Sequence, residues 1–297
     1  MKKIIISLLV TLPFLLIGCG GSSSDSGDSG DSGDSGTTVT SASFSPIKAV
    51  DSNDQPTKLY WKYSVNEGKP IIASLPFNDQ IIPVLVTFDP MLINIDIDGK
   101  TRVMSGEGSL SGGITNEALE GNVSFLNTDT FSASDLPTFI GGSHVLLHVS
   151  ITVSGTDELI DILNISADTQ FVDPTEWFLD NEYLDTFGLD FTSEIESSIT
   201  TTIIEGQDPL EVIQEATNSW KILEYKDTAI VNNKTYTNVV LVEQTTQIEQ
   251  AAPVKITYWV AKGIGMIRGE GFFNALGTRV DIELLETNLV QAVEPGA

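Results

Sequence analysis

Tyr258-Trp259-Val260-Ala261-Lys262-Gly263-Ile264-Gly265-Met266-Ile267 is the stretch whose reading decides the fold. Two runs rich in β-branched and aromatic residues meet at a Gly-x-Gly bend. Lys255 to Ala261 reads as one strand, Gly263 to Gly265 as the bend, and Met266 to Asn274 as the returning strand. Gly277 turns the chain again. Val280, Ile282 and Leu284 then alternate with Arg279, Asp281 and Glu283, the period of two that marks one buried and one wet face. Upstream, Thr237 to Ile248 supplies a further strand. The last third of the chain is expected to be an antiparallel meander.

The first half carries the same signature. Leu59, Trp61, Tyr63 and Val65 alternate with Tyr60, Lys62 and Ser64. Ile81 to Phe88 is apolar and β-branched, with Pro83 near its start, where a strand tolerates it. Leu92 to Ile97 runs into Asp98-Gly99, a hairpin turn signal. Further strands are expected near Gly121 to Leu126, Ser143 to Val153 and Leu159 to Phe171. Gly106-Glu107-Gly108, Ser111-Gly112-Gly113, Gly141-Gly142 and Ser154-Gly155 read as the turns between them.

The middle reads differently. Asp173-Pro174-Thr175-Glu176 and Asp208-Pro209-Leu210-Glu211 each place a capping acid, a proline and an acid at helix-start spacing. Leu210, Ile213, Ala216, Thr217 and Trp220 then share one helical face. Ser193-Glu194-Ile195-Glu196 is a third capping pattern, followed by Ile195, Ile199 and Ile203 at spacing four. The expected fold class is therefore α+β, mainly antiparallel β. It comprises an N-terminal sandwich-like or curved sheet, a short helical middle and a C-terminal antiparallel meander. Residues 44–172 form the β-rich domain, and residues 173–297 the helical segment plus sheet.

The N-terminus carries the address. Met1-Lys2-Lys3 is a basic start, and Ile4 to Ile17 is an apolar run too short for a membrane span. Leu16-Ile17-Gly18-Cys19 ends it with the chain's 1 cysteine. These residues resemble the lipobox of bacterial lipoproteins. The resemblance implies a signal peptide over residues 1–18 and a mature chain beginning at Cys19, acylated by a diacylglycerol and an amide-linked chain. Gly20, where an aspartate would imply retention in the inner membrane, implies anchoring to the outer membrane. Residues 19–43 are a linker dominated by an Asp-Ser-Gly repeat from Asp25 to Gly36. Nothing there can be buried, so a coil spanning about 25–30 Å is expected.

A second resemblance lies near the other end. Asn233-Lys234-Thr235-Tyr236-Thr237-Asn238-Val239-Val240, with Tyr258 to Ile267, resembles a module recurring near the C-terminus of secreted bacterial lipoproteins. It covers about residues 221 to 288. It implies a tight hairpin and an envelope location, and no settled activity.

Charge and motifs exclude several classes. The chain has 15 basic and 41 acidic residues, a net charge of −26, so it lacks the basic footprint that nucleic acid requires. His144 and His148 are the only 2 histidines. They lie on a strand about 13 Å apart, too far to share one zinc. Asn94, Asp96, Asp98 and Gly99 imitate half an EF-hand loop, but Ser105 stands at the twelfth position and a hairpin fits better. Gly263 to Arg268 lacks the third glycine of a dinucleotide loop. Ser45-Pro46-Ile47-Lys48 has no partner motif, and no Gly-x-Ser-x-Gly elbow exists. No catalytic residue, metal site or cofactor is expected.

One cluster stands out. Residues 173 to 196 hold eight acids and no lysine or arginine, interleaved with aromatics. Trp177, Phe178, Tyr183, Asp180 and Asp185 are its candidate ligand or partner patch. The competing expectation is an amphipathic segment with its aromatics in the core. The expected function is a non-enzymatic binding or structural module of the cell envelope. It is held at the outer membrane through the Cys19 lipid and contacts an envelope protein or an apolar ligand. Two alternatives are a periplasmic carrier or sensor of an apolar ligand and a carboxylate-dependent carbohydrate hydrolase.

Overall fold

The computed structural model describes residues 39–41, 59–77, 80–96, 101–114, 117–131, 140–153, 159–174, 190–204, 208–248, 253–273 and 279–291. Among them the regular elements are strands, apart from a 3-10 turn at Asn66–Gly68. The first half contains β1 (Val39–Ser41), β2 (Leu59–Val65), β3 (Ile71–Phe77), β4 (Gln80–Phe88), β5 (Met91–Asp96), β6 (Thr101–Ile114), β7 (Glu117–Phe131) and β8 (Ile140–Val153). The second half contains β9 (Leu159–Pro174), β10 (Asp190–Ile204), β11 (Leu210–Val231), β12 (Lys234–Ile248), β13 (Val254–Ala261), β14 (Gly265–Phe273), β15 (Arg279–Thr287) and β16 (Leu289–Gln291).

Two pairs of these strands lie end to end. β4 and β5 run along one edge of β6, pairing with Gly108–Gly112 and Thr101–Ser105 respectively. Between them the Asp89 N–H donates to the Glu107 carbonyl at 2.8 Å, so the ladder barely breaks. β2 and β3 run in the same way along β5 and β4, interrupted by the 3-10 turn. The 14 strands of the sheet thus make twelve staves. Each stave pairs antiparallel with the next in sequence, β6 with β7 and onward to β14 with β15. β15 then pairs back with β2, from Ile282↔Val65 to Thr287↔Trp61. The result is an up-and-down barrel, continuous through residue 172.

Alternation sets its two faces. Leu59, Trp61, Tyr63 and Val65 of β2 are buried, as are Ile256, Tyr258 and Val260 of β13 and Val280, Ile282 and Leu284 of β15. All belong to one apolar cluster that also takes in β4, β6, β7, β8, β9 and β12. Val86, Val149, Val240 and Leu284 are 0% exposed, whereas a water-filled lumen would wet them. The described interior is therefore filled by its own side chains. The other face is mainly polar, with Ile72, Ile81 and Leu85 among its exposed apolar residues. Lys62, Lys255, Arg268, Glu270, Asp281 and Glu283 turn outward, the reverse of the apolar-out pattern of outer-membrane barrels. On this face Trp259 takes Lys226 at 4.9 Å and Arg268 at 5.6 Å from its ring, and Arg268 reaches Glu270 at 2.8 Å.

The mainly antiparallel β expectation holds, and among the described residues the helical middle does not; the helix expected after Asp173-Pro174 falls on residues 175–189, outside them. Ile195, Ile199 and Ile203 lie on β10, and Leu210, Ile213, Ala216, Thr217 and Trp220 on β11. Each strand gains a ladder on both edges, which an isolated amphipathic helix could not match. The run Ile199 to Ile204 is β-branched throughout, which also favours a strand. Three expected turns are also corrected. Gly106, Gly108, Gly112 and Gly113 lie inside β6, and Gly141 and Gly142 inside β8. At two of them the glycine admits a neighbour: the Phe125 ring crosses Gly106, and a Cβ on Gly108 would stand 2.8 Å from the Thr87 carbonyl. Ser154-Gly155 falls outside the described residues.

Tyr236 of β12 is buried, and that burial raises its phenol above the ordinary value of 10.0. The folded state keeps the proton longer than the unfolded chain. Its contribution is full below the unfolded value and is lost as pH rises through the folded one. Urea midpoints should therefore fall as pH rises past about 10, and Tyr236→Phe should flatten that fall. An equally steep fall in the variant would assign the effect to another group.

Candidate binding groove on the outer face

The outer face is interrupted by a groove of about 640 Å³ running across β5 to β9. That is within the size of sites that take small molecules, about 300–1,000 Å³. Register builds it from two parallel rows. Leu92↔Ser105, Ser105↔Leu126 and Leu126↔Leu146 set one row straight across β5, β6, β7 and β8. Glu107↔Ser124, Ser124↔His148 and His148↔Asn164 set the other across β6 to β9. The rows are two residues apart along each strand, about 7 Å. One is largely apolar and the other wholly polar.

The leucines have an unusual placement. Leu92 is 38% and Leu146 39% exposed, on strands whose other outward residues are polar. Leu126 is half-buried beside them. Gly106 lies between the two rows on β6, and with no Cβ it lets the Phe125 ring cross the strand behind the groove.

The polar row is acidic at one end. Glu107 is exposed, and Asp89 stands next to it through the backbone hydrogen bond between them. His148 and Asn164 close the opposite end. Among the described residues no lysine or arginine lines the groove. Its two carboxylates are neighbours at one end and do not face each other across a cleft. An acid and a nucleophile or base on either side of a glycosidic bond need the facing arrangement. Among the described residues no group of three or more His, Cys, Asp and Glu could hold a metal. His144 and His148 both face outward on β8, as the strand reading expects. His144 Nδ1 meets Asp168 Oδ1 at 2.6 Å, while His148 lines the groove.

Other expected site residues do not meet the groove. Cys19, Trp177, Phe178, Asp180, Tyr183 and Asp185 lie outside the described residues. Of the linker 19–43, the described part is β1, which pairs parallel with β16 through Val39↔Leu289 to Ser41↔Gln291. Gln291 fastens that pair to the barrel. Its Oε1 accepts from the Thr237 N–H at 2.9 Å, and its Nε2 donates to the Lys262 carbonyl at 2.7 Å. Leu92, Leu126 and Leu146 were not singled out from the sequence. A signal for them existed, because each leucine holds an outward phase in a strand whose alternation assigns that phase to polar residues.

Comparison of the chain with protein-family models, with curated proteins and with solved structures finds no match in any of the three.

Proposed function

We propose that this chain is a lipid-anchored lipoprotein of the bacterial cell envelope, held at the outer membrane through Cys19, whose barrel is a non-enzymatic binding module. The observation that carries the binding half is the leucine row of the groove, an apolar strip set beside a wholly polar row. The anchoring half is supported by Leu16-Ile17-Gly18-Cys19 and by the repeat from Asp25 to Gly36, which separates that cysteine from β1. The same groove accommodates the reading of a carrier for an apolar ligand. The groove lies on the outer side of the barrel wall, so a ligand held there lies outside the barrel.

The test joins both halves. Cys19→Ser should move the protein from the membrane to the soluble fraction, because the variant lacks the thiol on which the acyl anchor is built. Membrane retention of that variant, reversible only by detergent, overturns the anchor. The released protein should carry a copurified small molecule in native mass spectrometry, and Leu146→Glu should lose it. A bound mass indifferent to Leu146→Glu, or none at all, overturns the groove as the binding site.

A further inference from the structure

Resting on the groove as the binding site, we infer that its ligand is an amphipathic amine: a protonated amino head at Asp89 and Glu107, with an apolar body along Leu126 and Leu146. The argument begins with charge. The acidic end of the polar row holds two neighbouring carboxylates, and among the described residues no lysine or arginine in the lining neutralises them. The whole chain carries −26, so its field concentrates cations and repels anions. An anionic amphiphile such as a fatty acid would bring its charge to the wrong partners.

Shape gives the rest. Glu107 of β6 sits one residue pair from Ser105, inside the leucine row. From that acidic end the row continues over Leu126 of β7 to Leu146 of β8. Adjacent strands lie about 4.8 Å apart and the two rows about 7 Å, so the path from Glu107 on β6 to Leu146 on β8 is about 12 Å long. This is the length of a chain of about ten carbons, held at one end by charge and along its side by apolar contact. His148 and Asn164 mark the far end of the polar row, beyond the reach of the head group. A charge-assisted contact at a partly exposed carboxylate gives selectivity, while the leucines give most of the affinity.

Three probes of equal length separate these contributions: decylamine, decanol and decanoate, titrated calorimetrically into the full chain carrying Cys19→Ser. Decylamine should bind about tenfold more tightly than decanol, and decanoate more weakly than either. Glu107→Gln should cost decylamine about tenfold and leave decanol unchanged. Raising the salt should weaken decylamine alone. Leu146→Ser should weaken decylamine and decanol together. If decanol and decylamine bind equally, both lost in Leu146→Ser and neither altered in Glu107→Gln, the amine assignment is overturned and the groove stands. Decanoate binding as well as decylamine likewise overturns the amine alone. Saturable binding by none of the three overturns both.

Discussion

Trp61→Ala is expected to lower the free energy of unfolding by about 3–5 kcal/mol, the range for removing a large buried aromatic. Trp61 is 5% exposed and stands on β2, the strand that closes the barrel. Its indole N–H donates to the Ile264 carbonyl at 2.8 Å, in the bend between β13 and β14. One side chain therefore fills the core beside the seam and binds the bend two staves away. The next inward residue does the same, since the Tyr63 hydroxyl donates to the Met266 carbonyl at 2.8 Å. Truncation to alanine removes the ring, leaves a cavity and strands a buried carbonyl. Trp61→Phe should cost only about 1–3 kcal/mol, because most of the packing survives and mainly the hydrogen bond is lost. Urea titrations at constant m-value measure both. A loss below about 1 kcal/mol for the alanine variant would mean that the seam does not depend on this residue.

Gly265→Val should destabilise the protein by about 2–4 kcal/mol, the combined cost of a left-handed backbone and of overpacking. Gly265 has φ of 88° and Gly263 has φ of 80°, a region that a β-branched residue enters only under strain. Both glycines are buried, and the positions around them are filled. The bend also sets register, through Ala261↔Gly265 and Val260↔Met266. Relieving the strain by a slip of one residue would turn Ile256, Tyr258 and Val260 out of the core. Lys262→Ala is the control and should stay within about 0.5 kcal/mol. What the barrel uses at that position is the main-chain carbonyl held by Gln291, which the substitution keeps. If thermal melts place Gly265→Val level with wild type while Lys262→Ala falls, the bend is not a structural element of the kind described.

These residues also show what was legible in the chain. The inward set of β2 and the hairpin of β13 and β14 were readable because alternation and Gly-x-Gly are local signals. β10 and β11 were misread because the same apolar residues satisfy spacings of three and four, and the deciding partners lie on other strands. The glycines of β6 were misread for a related reason. Gly106 and Gly108 serve neighbours at β7 and β4, and a sequence cannot show which side chain crosses a glycine. Closure of β15 onto β2 has no local signature at all. The groove was half legible. Its outward leucines break the alternation of their strands, but only register brings Leu92, Leu126 and Leu146 into one row. The aromatic and acidic cluster around Trp177 and Asp180 remains a reading of the sequence.

The seam between β15 and β2 also fixes an order in time. Every other adjacent pair of staves is next to itself in the chain and can form as a hairpin while the rest is still arriving. The seam joins residues more than two hundred positions apart, as in the Tyr60 N–H to Asn288 Oδ1 bond at 3.1 Å. β2 emerges among the first strands and its closing partner nearly last, so a chain folding from its N-terminus carries one open, apolar-backed edge throughout. Such an edge is a template for pairing with another copy. The closing step is also the slowest of the barrel by topology, since the longest loop between neighbouring staves is closed there. Chains cut short of residue 279 should therefore accumulate as aggregates.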